Sequence, residues 1–294
     1  MDKLELKALG KINLGLDILG RRDNGYHDVR MVMQTVFLYD RVTLEKTRKP
    51  GVGIVTNLNY LPVNENNIAY KAAKLLMDEF GIQDGMRITL EKHIPVAAGM
   101  AGGSSNAAAV LFGINRMYSL GLSEEALKER GVVLGADVPY CIMRGTVLAE
   151  GIGEILSPLP PLPKCYILSA TPALSASTRI VYEKFDALDE VKHPDIDGIL
   201  AGLKGGDVRQ VAACMGNVLE QVMLPEYPVL QKIKDAMMEG GALNAMMSGS
   251  GPTVFGIFEK RSQAKMAAAL IRNRELAKQT YVTNVHNVYV RRKS

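Results

Sequence analysis

The stretch from Pro95 to Val110, PVAAGMAGGSSNAAAV, restricts the fold more than any other part of the chain. Glycines sit against two serines, and a run of small residues follows. Glycine lets the backbone reach φ > 0 and lets another group come close. A helix start carries unpaired N–H groups and a partial positive charge. The pair makes either an anion cradle or a tight strand-to-helix turn whose small residues serve packing. The residues alone leave both readings open. On the first, Gly99, Gly102 and Gly103 turn N–H groups toward a phosphate, Ser104 and Ser105 add hydroxyls to phosphate or Mg²⁺, and a helix runs from about Ser104 to Ser119. The order matches neither G-x-x-x-x-G-K-[ST] nor G-x-G-x-x-G, so neither common nucleotide loop is present.

Around this loop, helical and strand patterns mix without a regular βαβ beat, which predicts an α+β fold. Strands are expected over 3–9, 11–19, 29–46 and 86–95, with a turn at Asn24-Gly25. Helices are expected over 64–81 and 121–131, the second capped by Ser123. A strand pair is expected around GTVLAEGIGEIL and another strand at 164–172. Residues 175–238 are mostly helical in pattern, and MMSGSGPTVFGIFE at 246–259 reads as a second glycine turn entering a strand. A helix over 262–278 and a strand over 280–291 follow. The proline-dense segment SPLPPLPK at 157–164 divides the chain into expected domains 1–158 and 159–294.

With 294 residues, 47% hydrophobic and 22% charged, the chain has the balance of a globular protein with a core. A net charge of +4 without a basic stripe suits small anions and argues against nucleic acid; the tail RRKS at 291–294 reads as a solvated end. Cys141, Cys165 and Cys214 are scattered and expected to be reduced. No apolar run approaches the ~20 residues of a membrane span. The N-terminus resembles no targeting peptide, so a bacterial cytoplasmic location is expected. His93, His193 and His286 lack ligand spacing, so no protein metal site is expected. The methionines, Met31, Met33, Met237, Met238, Met246 and Met247 among them, read as core filler. Asp195, Asp197 and Asp207 read as surface charges.

The order PxxxGxxGGSS resembles the ATP-phosphate loop of the GHMP kinases (galactokinase, homoserine kinase, mevalonate kinase and phosphomevalonate kinase). KALGKINLGLDILG before it and MMSGSGPTVFGIF after it resemble that superfamily's two other motifs, in order. The resemblance implies a two-domain fold, a ribosomal-protein-S5-like α/β domain followed by an α+β domain. KINLGLDILGRRDNGYHDV, IPVAAGMAGGSSNAAAVL and LGADVPYCIMRGTVLAEGIGE are similar to the branch that phosphorylates the 2-hydroxyl of 4-diphosphocytidyl-2-C-methyl-D-erythritol in non-mevalonate isoprenoid synthesis. ATP and Mg²⁺ are the implied cofactors, and a monomer or weak homodimer is expected. The alternatives are another GHMP kinase acting on mevalonate or homoserine, or a silent nucleotide sensor of the same fold.

The resemblance assigns the phosphate loop to Pro95, Val96, Ala97, Ala98, Gly99, Met100, Ala101, Gly102, Gly103, Ser104 and Ser105. Ala98 and Ala101 stand where many members carry glycine, and alanine reaches φ > 0 only at a cost. Asp137 is implied as proton acceptor, where its sequence setting also fits a helix N-cap. Lys11 is implied beside it, holding the carboxylate ionised; as a bare residue it also fits a solubilising edge-strand lysine. Asn13 follows on the same strand face, toward the substrate. Tyr26 and His27 are implied at the cytosine, with Thr178 and Tyr182 completing the sandwich at a spacing of four; turn and packing roles are the alternatives. Asn67, Lys92 and Asn106 match the adenine side, although Asn67 fits a helix start equally. Ser248, Gly249, Ser250 and Gly251 form the C-terminal turn, a buttress for the loop or a purely structural turn.

Overall fold

The structure, a computed structural model, describes residues 1–288. Its first elements are β1 (Lys3–Arg21), β2 (His27–Thr47), β3 (Gly51–Thr56), α1 (Ile68–Glu79), β4 (Gly85–Glu91) and α2 (Gly102–Tyr118). Next come α3 (Glu124–Val132), α4 (Val138–Met143), β5 (Thr146–Glu150), β6 (Ile155–Pro158), β7 (Tyr166–Thr171) and α5 (Thr178–Phe185). Then α6 (Ile196–Gly205), α7 (Val208–Cys214), β8 (Gly216–Asn217), α8 (Glu220–Glu226) and α9 (Pro228–Glu239) follow. The last are β9 (Asn244–Met247), β10 (Val254–Phe258), α10 (Arg261–Asn273) and β11 (Gln279–Asn284). The mixture is α+β, as the sequence predicts. It divides into two compact units, each discontinuous in sequence.

The first unit holds residues 1–10, 38–96 and 101–143. Within it β3 runs parallel to β4, and β4 runs antiparallel to the second half of β2, Arg41 opposite Glu91. Alternation decides which side is buried: Val42 and Leu44 are fully buried, while Thr43 between them and Arg41 and Glu45 beside them are not. Helix α2 lies so close to this sheet that a Cβ on Gly113 would stand 2.3 Å from Leu44 Cδ1 and 3.0 Å from Leu6 Cδ1. Helix α1 is capped by Asn67, whose Oδ1 accepts from Ala69 N at 2.9 Å. Ser123 caps α3 as expected, accepting from Ala126 N at 3.2 Å.

The second unit holds residues 11–37, 97–100 and the chain from 144 onward. Here β1 pairs in parallel with β8, Gly15 opposite Gly216, and β5 pairs antiparallel with β2 and with β6. A separate antiparallel sheet has the order β11-β7-β10-β9. Helix α10 buries Ala264, Ala267, Ala268 and Ile271, the i, i+3, i+4, i+7 stripe of a helix lying on a core. All five residues of β10 are buried.

Several expectations need correction. The two predicted N-terminal strands are one 19-residue strand, because Gly10 does not interrupt the pairing. Helix α10 ends at Asn273 rather than 278, and β11 ends at Asn284; residues 289–291 of the predicted strand and the tail at 291–294 lie outside the described residues. Asp195, Asp197 and Asp207 are exposed, as expected; Asp195 and Asp207 also cap α6 and α7, and Asp197 pairs with Arg30 at 2.8 Å. Met238 is 47% exposed, unlike the other methionines named above. Among the described residues, Cys141, Cys165 and Cys214 form no disulfide, and no helix is long and apolar enough to cross a membrane. Burial pushes the Cys165 thiol up to about 12.

Candidate active site

The glycine loop is built from buried pegs and exposed backbone. Pro95, Ala98, Met100 and Gly102 are buried, while Val96, Ala97 and Gly103 are exposed. Three residues take the left-handed conformation: Ala97 at φ 51°, Gly99 at φ 75° and Ala101 at φ 54°. For an alanine that conformation costs about 1–2 kcal/mol. Ala101 therefore does reach the glycine-like backbone, whereas Ala98 avoids it and packs inward. The strained Ala101 is the N-cap of α2 and has no side-chain oxygen to accept from the helix start. No capping side chain takes up the amides of the first turn, the condition for an anion site at a helix N-terminus. The helix begins at Gly102, two residues before the expected Ser104. Gly102 and Gly103 accordingly take helical backbone, not φ > 0.

The middle of the loop is held in the second unit. Ser248 Oγ donates to the Gly99 carbonyl at 2.9 Å, and Lys11 N donates to the Met100 carbonyl at 3.1 Å. A Cβ on Gly99 would stand 1.9 Å from the Ser248 carbonyl oxygen. A Cβ on Gly249 would lie 3.5 Å from Lys11 Nζ. Lys11 donates to Asn13 Oδ1 at 2.7 Å, and both side chains are buried. Lys11, Asn13, Gly99, Ser248 and Gly249 are thus brought together. The turn itself hangs on Asn217, whose amide donates to the carbonyls of Met247 at 2.9 Å and Gly249 at 2.8 Å. Asn217 has no local signal in the sequence, since its partners lie 30 and 32 residues away.

In the first unit, two of the three expected adenine-side residues, Lys92 and Asn106, form a network with Asp40. Lys92 Nζ donates to Asn106 Oδ1 at 2.7 Å and to Asp40, and Asn106 Nδ2 donates to Asp40 Oδ2 at 2.9 Å. Asp40 Oδ1 also accepts from His93 N at 2.7 Å and Ile94 N at 2.8 Å, immediately before the loop. Burial pulls the Lys92 ammonium below its ordinary value, and Asp40 partly restores it. Lys92 and Asn106 thus fix the strand end and α2 to each other. Asp40 is the residue that sequence reading missed. Ser105, expected as a phosphate hydroxyl, donates to the Leu9 carbonyl at 2.7 Å and is buried. Ser104 is only half-buried. Asn67 donates to the Pro62 carbonyl at 2.8 Å while capping α1.

Of the expected base-binding residues, His27 and Tyr182 meet in the second unit. The 21–28 loop turns at Gly25, φ 84°, and leaves Tyr26 59% exposed. The His27 and Tyr182 rings lie 4.9 Å apart at 54°. Thr178 Oγ1 and Ser250 Oγ share a hydrogen bond of 2.8 Å, joining helix α5 to the C-terminal turn. Asp137 stands half-buried just before α4, its carbonyl accepting from Cys141 N at 3.0 Å. Among the described residues, no three His, Cys, Asp or Glu side chains gather as a metal cluster.

Residues 67–145 match the family model for the GHMP kinases N terminal domain, and residues 199–275 match the model for the GHMP kinases C terminal. The chain belongs to the GHMP kinases. These are ATP-dependent kinases, and the glycine loop and C-terminal turn of this GHMP kinase each lie within one of the two matched stretches. The 4-diphosphocytidyl-2-C-methyl-D-erythritol kinase of Lachnospira eligens is 55% identical over 283 residues, 96% of this chain and 98% of that protein. The enzyme of the same name from Lachnoclostridium phytofermentans is 52% identical, covering 96% and 97%. A crystal structure of 4-(cytidine 5'-diphospho)-2C-methyl-D-erythritol kinase matches with a TM-score of 0.82 and 32% identity, covering 97% of this chain and all of the other.

Proposed function

We propose that this GHMP kinase transfers the γ-phosphoryl group of MgATP to the 2-hydroxyl of 4-diphosphocytidyl-2-C-methyl-D-erythritol. The observation that carries the substrate is the aromatic pair His27–Tyr182 beside the exposed Tyr26, a wall suited to stacking a base. The names of the relatives at 55% and 52% identity support the same acceptor.

Phosphoryl transfer needs positioning, neutralised charge and a proton acceptor. The uncapped start of α2 and the loop backbone at Gly99 and Gly103 hold the phosphates. Asp137 accepts the hydroxyl proton, and Lys11, oriented by Asn13, offsets charge on the transferring group. Tyr26, His27, Thr178 and Tyr182 hold the cytidine end, and Asn67 the adenine end with the Lys92–Asn106 edge. Mg²⁺ fits this donor set as a companion of the phosphates, with Ser104 as a protein hydroxyl, since that ion commonly keeps few protein ligands. Bound there, it would neutralise phosphate charge. Residues 1–158 serve ATP and catalysis and residues 159–294 the substrate side, in a cytoplasmic monomer or weak homodimer without nucleic-acid or membrane partners.

The test is ADP release from MgATP with the cytidyl acceptor, mevalonate and homoserine offered in parallel. Turnover of the cytidyl acceptor alone is expected. Preference for another alcohol overturns the acceptor, and ATP binding without any turnover points to a silent sensor.

A further inference from the structure

Helix α5 places Thr178 and Tyr182 four residues apart, and Asp186 continues the same ladder at the C-cap. One face of the helix therefore carries all three. Asp186 Oδ1 lies 2.6 Å from His27 Nε2, the two residues being 159 apart in sequence. Arg21 Nη1 lies 3.4 Å from the other carboxylate oxygen. The His27 side chain is only 8% exposed, and its Nδ1 makes no hydrogen bond among the described residues.

This arrangement has a chemical consequence. An ionised carboxylate only accepts, so the ring proton at this contact sits on Nε2. Arg21 already faces the carboxylate with a positive charge, so the cluster does not require a second cation on the ring. In the neutral imidazole, the remaining Nδ1 is then a bare acceptor. Cytosine carries a 4-amino donor on its pairing edge. Uracil carries a carbonyl oxygen there, and two lone pairs would face each other. A site built to hydrogen-bond one group rejects the analogue that cannot complete the bond.

We propose that Asp186 is a specificity-determining positioning residue: through His27 it fixes a ring nitrogen as acceptor for the amino group of cytosine, and so sets preference for cytidine over uridine. The proposal rests on the reading of His27 as a base-binding residue. Stacking between Tyr26 and Tyr182 is indifferent to the base, so this contact supplies discrimination that the rings do not.

The experiment compares wild type, Asp186→Ala and Asp186→Asn, using the cytidyl acceptor and its uridyl counterpart, with ¹⁵N NMR of the His27 ring at neutral pH. Wild type should show a protonated Nε2 and a bare Nδ1. Asp186→Ala should raise the KM for the cytidyl acceptor about tenfold, the loss of one hydrogen bond. Its kcat and KM for ATP should stay as they are and its KM for the uridyl compound should not rise, a split that general loosening of the fold would not give. Asp186→Asn keeps the volume, but its amide can donate to Nε2 and reverse the tautomer, so it should shift preference further toward uridine. An unchanged cytidine-to-uridine ratio in both variants overturns the proposal, as does a protonated Nδ1 in wild type. Failure of wild type to use the cytidyl acceptor at all overturns the proposed function instead, and this inference with it.

Discussion

Gly99 and Ser248 are locked to each other from both sides: the serine hydroxyl donates to the glycine carbonyl at 2.9 Å, and a Cβ on the glycine would stand 1.9 Å from the serine carbonyl oxygen. The contact spans 149 residues of sequence and fixes the shape of the loop. Gly99→Ala meets that backbone oxygen and also a φ of 75°. A loop displaced by about 1 Å costs catalysis about 10²-fold, so kcat/KM for ATP should fall by that order. Gly20→Ala is the control, because nothing lies within 4 Å of its Cβ position. Steady-state kinetics with ATP varied checks this; wild-type behaviour of Gly99→Ala would contradict it.

Asp137→Asn should leave melting temperature and ATP binding intact while lowering kcat by about 10²–10⁴-fold, the usual contribution of a general base. Lys11→Arg should also impair kcat, because a planar fork does not replace a point charge next to Asn13. Calorimetric ATP titration alongside turnover separates binding from chemistry. A variant at 137 with near-normal kcat removes that residue from the proton path.

Asp40 offers a stability test. It is wholly buried, and its removal leaves the Lys92 ammonium uncompensated. Breaking such a buried pair costs about 3–5 kcal/mol. Asp40→Ala should show that loss in urea unfolding, and adding Lys92→Met should recover part of it by removing the stranded charge, the remainder reflecting the donors of His93, Ile94 and Asn106 left without Asp40. A double variant no better than the single one would contradict the charge argument.

His286 gives a pH signature. Its ring stands edge-on to Phe37 at 4.9 Å, and burial with the nearby Arg144 cation lowers its pKa below the ordinary 6.5. On acidification the unfolded chain takes up the proton first, near 6.5, and the folded ring only at lower pH. Between those values the unfolded state binds more protons, so stability falls with falling pH and is unaffected above 6.5. His286→Gln should reduce the fall in Tm between about pH 7.5 and about pH 5. An equal or steeper fall in the variant would contradict the assignment.

What the sequence showed and what it hid follow from the range of the interactions. The Ser123 cap is a contact three residues long, and the Asn24-Gly25 turn is as local, so both were legible. The loop was legible as a glycine-rich helix entry because its composition is extreme. Its conformation was not: alanine does not signal the left-handed backbone that Ala97 and Ala101 adopt, and α2 starts at Gly102 directly after Ala101. Helix α4 went unassigned because six residues with a proline at the second position carry almost no periodicity. Asp40 and Asp186 were invisible for a different reason. Their partners lie 52 and 159 residues away, and a lone aspartate in a sequence does not name its partner.

The central claim is phosphoryl transfer to one particular hydroxyl, and the structure of the product tests it most directly. Carbon 2 of a 2-C-methyl tetritol bears a methyl group and no hydrogen, whereas carbons 1 and 3 bear hydrogens. The ³¹P NMR spectrum of the purified product, recorded without proton decoupling, should therefore show the new phosphomonoester as a singlet. A resonance split by carbinol protons would place the phosphoryl group on another oxygen and contradict the account.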